Sequence, residues 1–408
     1  MKPHAPLIDF KTNLDQLLIG ERTVKEIENL VGGTPFYAYD KSIIKKQISQ
    51  LKSSLPAQVK LHYAIKANPL TSLVHYMADL VDGFDVASRK ELLLAMQTSM
   101  HTDKLSFAGP GKSQQDLITA ITSNATLHVE SINEYHAIVA LGQELAITPN
   151  IAFRVNPAFE LKSSGMKMGG GAKPFGIDQE LLLNFLPNVD LSKINLKGFH
   201  IFTGSQNLNP VSLIDAHNNT IALAKSLISV SPCDIEYVNI GGGFGIPYFP
   251  GEAHLDITPI IENLHQLLED NKALLNNIDI ILELGRYLVG EAGVYVSKVI
   301  DVKESRGERF VVCDGGLHHH LANSGNFGQV IRKNYPVVVA NKLAEDTKPE
   351  QVNIVGPLCT PLDIIANKVS LPKIEIGDYI AVMRSGAYGV TASPVNFLSQ
   401  SSVYEIFL

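Results

Sequence analysis

The feature that most constrains the fold is a repeated alternation of short apolar runs with longer amphipathic segments. Segments with helical periodicity, such as SLVHYMADLV and INEYHAIVALGQ, separate the runs. Strands that alternate with helices form right-handed βαβ units and a parallel sheet. Eight such units over roughly 250 residues predict a (β/α)8 TIM barrel. The eight predicted strands cover 60–66, 83–88, 105–109, 126–131, 151–156, 198–205, 237–243 and 279–285.

The pattern changes at about residue 286. From there the chain reads as strands joined by turns, with few helical segments, which predicts a C-terminal all-β domain. The strand FYAYD (36–40) is expected to lead into the barrel, and the first 30 or so residues to pack on the β domain. We therefore predict a barrel domain over 35–285 and a β domain formed by 1–34 with 286–408.

Composition excludes several classes of protein. A formal net charge of -7 without a basic block makes nucleic acid an unexpected partner. No apolar stretch is long enough for a membrane span, and the first residues do not read as a signal peptide. The three cysteines are widely spaced, which argues against a disulfide framework and favours a reducing, cytoplasmic location.

Active sites of TIM barrels lie at the carboxyl ends of the strands. Polar or glycine residues occupy those ends in seven of the eight predicted strands, so they are expected to converge on one rim. Each is weak evidence alone, but the set predicts an active site. These residues are Lys66, Asp85, Glu130, Arg154, Ser205, Gly241–Gly243, Glu283 and Arg286.

Lys66 ends the apolar strand of HYAIKANP. An amine buried among apolar neighbours has a lowered pKa, which suits a nucleophile that forms Schiff bases. A strand-end lysine that reaches for water is the alternative. A lysine, a glycine triplet and a glutamate together match pyridoxal 5'-phosphate, which offers a carbonyl, a phosphate and a ring nitrogen. Lys66 would form the Schiff base, Gly241–Gly243 with Ser205 would hold the phosphate, and Glu283 would keep the pyridine nitrogen protonated. For the triplet, a tight strand–helix turn is the alternative.

The chain resembles the fold-type III PLP-dependent decarboxylases, the group of the diaminopimelate, ornithine and arginine decarboxylases. The resemblance rests on motifs in family order along nearly the whole chain: HYAIKANP, GFDVAS, FAGPGKS, RVNP, GSQ, GGGFG, ELGR, GPLC and RSGAYG. It implies an alanine-racemase-like barrel with a β domain. It also implies a homodimer whose active sites are shared between subunits.

The resemblance implies further roles for individual residues. Tyr388 would contact the phosphate, and Arg286 the phosphate or a substrate carboxylate. Cys359, from the other subunit, would donate a proton to the decarboxylated carbon. Asp85, Arg154 and Gly285 are also assigned to the cofactor site. Phe202 stands where the family has a ring-stacking histidine; it can stack but cannot exchange a proton, unless His200 substitutes.

Departures from the family pattern concern the substrate. Relatives that accept a distal amino group carry an acidic residue just after the cysteine, but here Thr360 and Pro361 follow Cys359, and Asp363 is the alternative acidic residue. The region DGGLHHHLANSGNFG (314–328) lacks the arginine that holds the distal carboxylate of diaminopimelate. Together these departures argue against diaminopimelate, ornithine and lysine as substrates.

The motifs DGGLHHHL, GGGFGIPYF and GPLCTPLD resemble a narrower branch. It includes the butirosin decarboxylase, which acts on a carrier-protein-linked glutamyl group, and exosortase-associated decarboxylases; siderophore decarboxylases are further away. We therefore expect decarboxylation of an unusual, conjugated or carrier-linked α-amino acid. We expect no metal, because adjacent histidines point to opposite faces of an extended chain, but His318 is assigned to the substrate site. Rival interpretations are a diaminopimelate decarboxylase, an amino-acid racemase on the same fold, and a non-catalytic decarboxylase-like binding protein.

Overall fold

A computed structural model describes residues 3–7, 10–160, 166–325, 332–343 and 348–408. The chain forms two compact units. The barrel unit comprises 48–246 and 255–287, and the β-rich unit comprises 1–47, 247–254 and 288–408. None of the helices in the described part of the chain combines the length and the apolar character that crossing a bilayer requires.

All eight predicted barrel strands are present, and the TIM-barrel prediction is confirmed. Each strand pairs in parallel with the next, and the last pairs with the first, so the barrel is closed. The strands are β1 (Val59–Ala64), β2 (Gly83–Val86), β3 (Leu105–Phe107), β4 (Thr126–Val129), β5 (Asn150–Asn156), β6 (Asn195–Ile201), β7 (Tyr237–Asn239) and β8 (Asp279–Leu284).

Three helices that follow barrel strands begin at serine caps. The hydroxyl groups of Ser88, Ser113 and Ser131 each accept the backbone N–H of an acidic residue three positions later. Such caps satisfy an otherwise unpaired N–H and stabilise a helix by about 1 kcal/mol each. The helices of this unit are Thr71–Ala78, Arg89–Ala95, Gln114–Thr122, Ile132–Leu145, Gln179–Phe185, Pro210–Val230, Thr258–Asp270 and Lys272–Leu275.

The β-rich unit confirms the predicted all-β texture after the barrel. It contains the helices Val24–Val31 and Leu321–Ser324 and residues 41–47 of the helix Lys41–Ser54. The longer strands are Phe36–Tyr39, Gly293–Ser305, Glu308–Cys313, Val337–Val339, Glu350–Val355, Ile364–Leu371, Tyr379–Val382 and Tyr404–Phe407; Thr12–Asn13, Gln16–Ile19 and Arg22–Thr23 form a small antiparallel sheet.

The strand Phe36–Tyr39 does not join the barrel sheet. It pairs antiparallel with Gly293–Ser305 and parallel with Tyr404–Phe407, and its four side chains are buried. A buried strand must pair its backbone N–H and C=O groups at both edges, and these two strands supply the partners. Residues 36–47 thus belong to the β-rich compact unit. The domain limits at 34/35 and 285/286 stay a prediction.

Candidate active site

Lys66 lies in a short 3-10 turn, Ile65–Ala67, directly after β1. Its Nζ atom is 3.4 Å from Glu283 Oε1 and 3.8 Å from Asp85 Oδ2. The side chain is 38% exposed. Two acidic neighbours therefore set its environment, in place of the apolar burial that the surrounding residues suggested. The convergence of Lys66, Asp85 and Glu283 from three strand ends agrees with the predicted rim.

Asp85 and Glu283 form a buried carboxyl pair that shares one proton. Burial and the charge of Glu283 raise the pKa of Asp85 well above its usual range, against the opposing effects of Lys66 and Ser106. Burial also favours the neutral form of Glu283. Lys66, a hydrogen bond with Asp85 and Arg154 nevertheless outweigh it and lower the pKa of Glu283. The proton therefore resides on Asp85, and the negative charge on Glu283.

Arg154, on β5, is held by a buried ion pair. Its Nη1 atom donates to Glu130 Oε1 at 2.8 Å, and both side chains are almost fully buried. Glu130 also accepts the backbone N–H groups of Gly109 and Gly176. Since Glu130 bonds all three groups, it ties Arg154 to the two loops that follow β3 and β5.

The glycine triplet after β7 forms a tight turn against β8. Gly241 and Gly243 have φ of +69° and +94°, which favour glycine, and a Cβ atom on Gly242 would lie 1.9 Å from the Glu283 carbonyl oxygen. The Gly241 N–H donates to Asn239 Oδ1 at 2.8 Å, so it is occupied. The N–H groups of Gly242 and Gly243 have no acceptor among the described residues.

Ser205 completes a candidate anion site next to this turn. Its Oγ atom is buried and has no hydrogen-bond partner in the part of the chain that the structure describes. An orphaned hydroxyl of this kind is costly unless a ligand satisfies it. Ser205, Gly242 and Gly243 therefore fit the phosphate of a pyridoxal cofactor, and only two of the three expected glycine N–H groups are available.

His200 and Phe202 lie on and just after β6. The His200 ring is buried, with Nε2 3.4 Å from Glu283 Oε2. Burial and the nearby cationic groups lower its pKa well below the usual range, so the ring is neutral. A Cβ atom on Gly241 would come within 2.4 Å of the Phe202 ring, which places that ring against the glycine turn. Their contact with a cofactor ring stays a prediction.

Gly285 packs beside the turn that carries Lys66. A Cβ atom there would be 2.8 Å from Ala67 Cβ, so glycine lets β8 end close to that turn. Arg286 follows at the start of the helix Arg286–Val289. Their roles toward a cofactor stay predictions.

Several site residues were missed from the sequence. Ser106 donates to Asp85 Oδ1 at 2.8 Å, and Asn239 lies 3.5 Å from Glu283 Oε2. The His128 ring lies 4.6 Å from the His200 ring and its Nε2 atom is 3.0 Å from the Tyr237 hydroxyl. Side chains alternate between the two faces of a strand. Each of these polar residues stands two positions before a predicted rim residue or beside one on the neighbouring strand, so it faces the same side and could have been identified from this alternation.

Five predicted residues belong to the β-rich unit. Cys359 is exposed, and Thr360 and Tyr388 are half-buried, Tyr388 with a φ of +55°. Asp363 is buried and its two oxygens accept the N–H groups of Leu317 and Leu358, at 2.6 and 2.8 Å. This arrangement fixes the loop that carries Cys359, so the predicted contact of Asp363 with substrate finds no support here and stays untested.

The histidine triplet divides into structural and unpartnered residues. His319 Nε2 is 2.8 Å from the Ser401 carbonyl oxygen, and His320 Nε2 is 2.9 Å from Ser385 Oγ. Neither nitrogen of buried His318 has a partner among the described residues. Within the described ranges, no group of three or more His, Cys, Asp or Glu side chains could hold a metal ion.

Comparison with known proteins identifies the class. Residues 41–290 match the family described as "Pyridoxal-dependent decarboxylase, pyridoxal binding domain". The chain belongs to this family, and its cofactor is pyridoxal phosphate. The fit rests on Lys66 beside ionised Glu283 and on the unpartnered Ser205 hydroxyl.

Among the relatives is the "L-glutamyl-[BtrI acyl-carrier protein] decarboxylase" of Niallia circulans, 36% identical over 97% of this chain and 92% of the relative. The "2-[(L-alanin-3-ylcarbamoyl)methyl]-2-hydroxybutanedioate decarboxylase" of Staphylococcus aureus is 28% identical over 91% and 93%. The solved structure of M. jannaschii diaminopimelate decarboxylase in complex with L-lysine superposes with a TM-score of 0.86, at 25% identity over 98% and 92%. The prediction of a PLP-dependent amino-acid decarboxylase is thus confirmed at the level of the family.

Proposed function

We propose that this enzyme removes the α-carboxyl group of a conjugated amino acid, with a carrier-protein-linked glutamyl group as the leading candidate. The observation that carries this proposal is the neutral surroundings of Cys359. Thr360 and Pro361 follow it, and both oxygens of the nearest acidic residue in sequence, Asp363, accept backbone N–H groups. Within 359–363, the described loop therefore offers a distal ammonium no carboxylate other than this backbone-bonded one. The similarity to a carrier-linked glutamate decarboxylase supports the same substrate class.

The residues of the site have distinct roles in the reaction. Pyridoxal phosphate, when bound, supplies the electron sink for the bonding pair that remains when carbon dioxide leaves. Lys66 would hold the cofactor covalently, and Ser205 with the N–H groups of Gly242 and Gly243 would bind its phosphate. Ionised Glu283 would hold a proton on the ring nitrogen, since a carboxylate favours the cationic partner.

Proton transfer completes the reaction. The C–C bond to the carboxyl group breaks, and the Cα atom takes one proton, which we assign to the Cys359 thiol. Solvent then returns a proton to Cys359. The exposure of Cys359 fits a homodimer in which this loop completes the partner's active site, and we include that dimer in the proposal. A cytoplasmic location stays a prediction.

A racemase is disfavoured by the residue at the ring nitrogen. Racemases of this fold are expected to place an arginine there, which weakens the electron sink. Here the group beside Lys66 is the Glu283 carboxylate. The relatives named above are decarboxylases, which agrees with that reading.

The proposal is tested by carbon dioxide release from purified enzyme with pyridoxal phosphate. We would compare glutamyl–carrier protein, free L-glutamate, a citryl-linked amino acid and meso-diaminopimelate. Release from the carrier-linked substrate, with at least about tenfold lower kcat/KM for diaminopimelate, supports it. A preference for diaminopimelate would overturn the substrate assignment, and release from none of them, with no cofactor band, would favour a non-catalytic binding protein.

A further inference from the structure

The barrel has a second cavity, at the amino ends of its strands. The cavity has a volume of about 490 Å³, and its lining includes Lys60, Thr126, Asn150 and Asp279. Each of these residues lies at or next to the start of its strand. Lys60 and Lys66 are six residues apart on and after β1, which corresponds to roughly 20 Å of extended chain. The cavity is therefore separate from the Lys66 site, and its volume suits a small molecule.

His62 and Tyr237 form the inner end of this space. TIM-barrel interiors are ordinarily filled by layers of bulky branched side chains. Here Gly83 is the register partner of His62, and Gly198 that of Tyr237. A Cβ atom on Gly83 would come within 2.4 Å of His62 Nε2. His62 and Tyr237 therefore occupy the room beside these glycines, and both residues line the cavity.

The inner end of the cavity is polar and incompletely satisfied. His62 is only 5% exposed, and its Nδ1 atom has no hydrogen-bond partner anywhere in the described residues. Tyr237 and Ser106 also line this end, and Ser106 donates to Asp85. A ligand that reaches the inner end would meet His62, Tyr237 and Ser106.

The mouth of the cavity carries charges of both signs. Lys197 pairs with Glu236 at 2.5 Å, and Lys60 lies 3.8 Å from Asp279. Lys104 also lines the mouth, and the described part of the chain gives it no ion pair. Lys104 is thus a cation without an ion pair in the described chain, and Asp279 is a carboxylate with only a weak one. These two groups suit a ligand that carries one anionic and one cationic group.

We propose that this cavity binds a small zwitterion of the amino-acid class. Its carboxylate lies at Lys104, its ammonium at the carboxylates of the mouth, and its side chain points toward His62. The site is distinct from the catalytic site and does not depend on the substrate proposed above.

The test uses holoenzyme treated with borohydride, which reduces the bond between cofactor and lysine to a secondary amine that amino acids cannot displace. Binding of L-glutamate, 4-aminobutyrate and glutarate is then measured by isothermal titration calorimetry. We expect the two zwitterions to bind saturably, and glutarate, which lacks the ammonium, at least about tenfold more weakly, equivalent to about 1.4 kcal/mol. A crystal of the reduced enzyme soaked with L-glutamate should show the ligand beside His62.

Two variants locate the binding. Lys104→Gln removes the unpaired cation, and Thr126→Leu fills the cavity; each should weaken binding at least about fivefold while the thermal unfolding of Lys104→Gln stays unchanged. Lys90→Gln, at another exposed lysine, is the matched control and should bind normally. Absence of saturable binding, equal binding of glutarate, or unchanged binding in Lys104→Gln would each overturn the proposal. Carbon dioxide release by Lys104→Gln separates this result from any failure of the proposed reaction.

Discussion

Asp85 in the barrel and Asp363 in the β-rich unit are both buried carboxyl groups, but their surroundings differ. Asp363 accepts two backbone N–H groups, one on each oxygen. Asp85 accepts one hydroxyl, has an oxygen without a partner among the described residues, and shares a proton with Glu283. The first arrangement fixes a loop. The second arrangement leaves Asp85 able to bind a proton or to contact a cofactor.

The same contrast extends to the buried cations. Arg384, fully buried in the β-rich unit, donates to Glu291 and to the carbonyl oxygens of Pro247, Ala5 and Pro6. Lys66 Nζ lies 3.4 Å from Glu283 and 3.8 Å from Asp85, longer than the 3.1 Å that joins Arg384 Nε to Glu291. Several short hydrogen bonds thus hold the buried cation of the β-rich unit, whereas Lys66 lies at longer distances from its carboxyl neighbours. The assignment of His318, which has no partner among the described residues, to the substrate site stays a prediction.

The largest expected effect is at Lys66. Lys66→Ala should abolish the visible absorption band of the lysine-bound cofactor and lower kcat/KM by at least about 10⁴-fold, because no other group can hold the cofactor covalently. Absorbance and carbon dioxide release measure this. Lys60→Ala, at the opposite end of the same strand, is the control and should keep the band. A band that survives in Lys66→Ala would refute the assignment.

The next effect is on stability and lies in the other unit. Arg384→Ala removes a buried guanidinium that donates to Glu291 and to three carbonyl groups, so the free energy of unfolding should fall by about 3–5 kcal/mol. Urea unfolding, followed by far-UV circular dichroism, measures it. Arg306→Ala, at an exposed arginine in the same unit, should change it by less than about 0.5 kcal/mol. A loss below about 1 kcal/mol in Arg384→Ala would break the proposed distinction between the two kinds of polar group.

A smaller effect, with a defined pH dependence, is expected at Glu28. Burial alone would raise its pKa, but hydrogen bonds from Lys25, Lys298 and Tyr379 lower the pKa to about 2. A lowered carboxyl pKa stabilises the fold above the unfolded value of 4.5, and this contribution is lost as the pH falls toward 2.

Glu28→Gln should therefore reduce the free energy of unfolding by about 1–2 kcal/mol at pH 7, after allowance for solvent screening. The difference from wild type should shrink between pH 4.5 and pH 3, as measured by urea unfolding at several pH values. A difference that grows on acidification would mean that the carboxylate is not the stabilising form.

Sequence alone predicted the barrel and the main site because both depend on local patterns. Each strand is a short apolar run, and Lys66, Asp85 and Glu283 stand at strand ends that a closed barrel brings together. The partner sheet of Phe36–Tyr39 was not predictable, since an apolar strand does not specify which strands flank it. The role of Asp363 depends on Leu317, 46 residues away, and the proton shared by Asp85 and Glu283 depends on burial that no motif encodes.

The smallest expected effect gives the sharpest test of that shared proton. Asn resembles a neutral carboxylic acid in shape, and its amide can donate to Glu283 as protonated Asp85 does. Asp85→Asn should therefore change the free energy of unfolding of the cofactor-free enzyme by less than about 1 kcal/mol at pH 7. Asp85→Ala, the comparison variant, removes the hydrogen bonds of Asp85 with Ser106 and Glu283 and should cost about 1–3 kcal/mol. If Asp85→Asn costs as much as Asp85→Ala, Asp85 is ionised in the folded protein and pairs with Lys66. Both Asp85 and Glu283 would then carry a negative charge next to the cofactor. Asp85 and Asp363 would differ only in the geometry of their contacts.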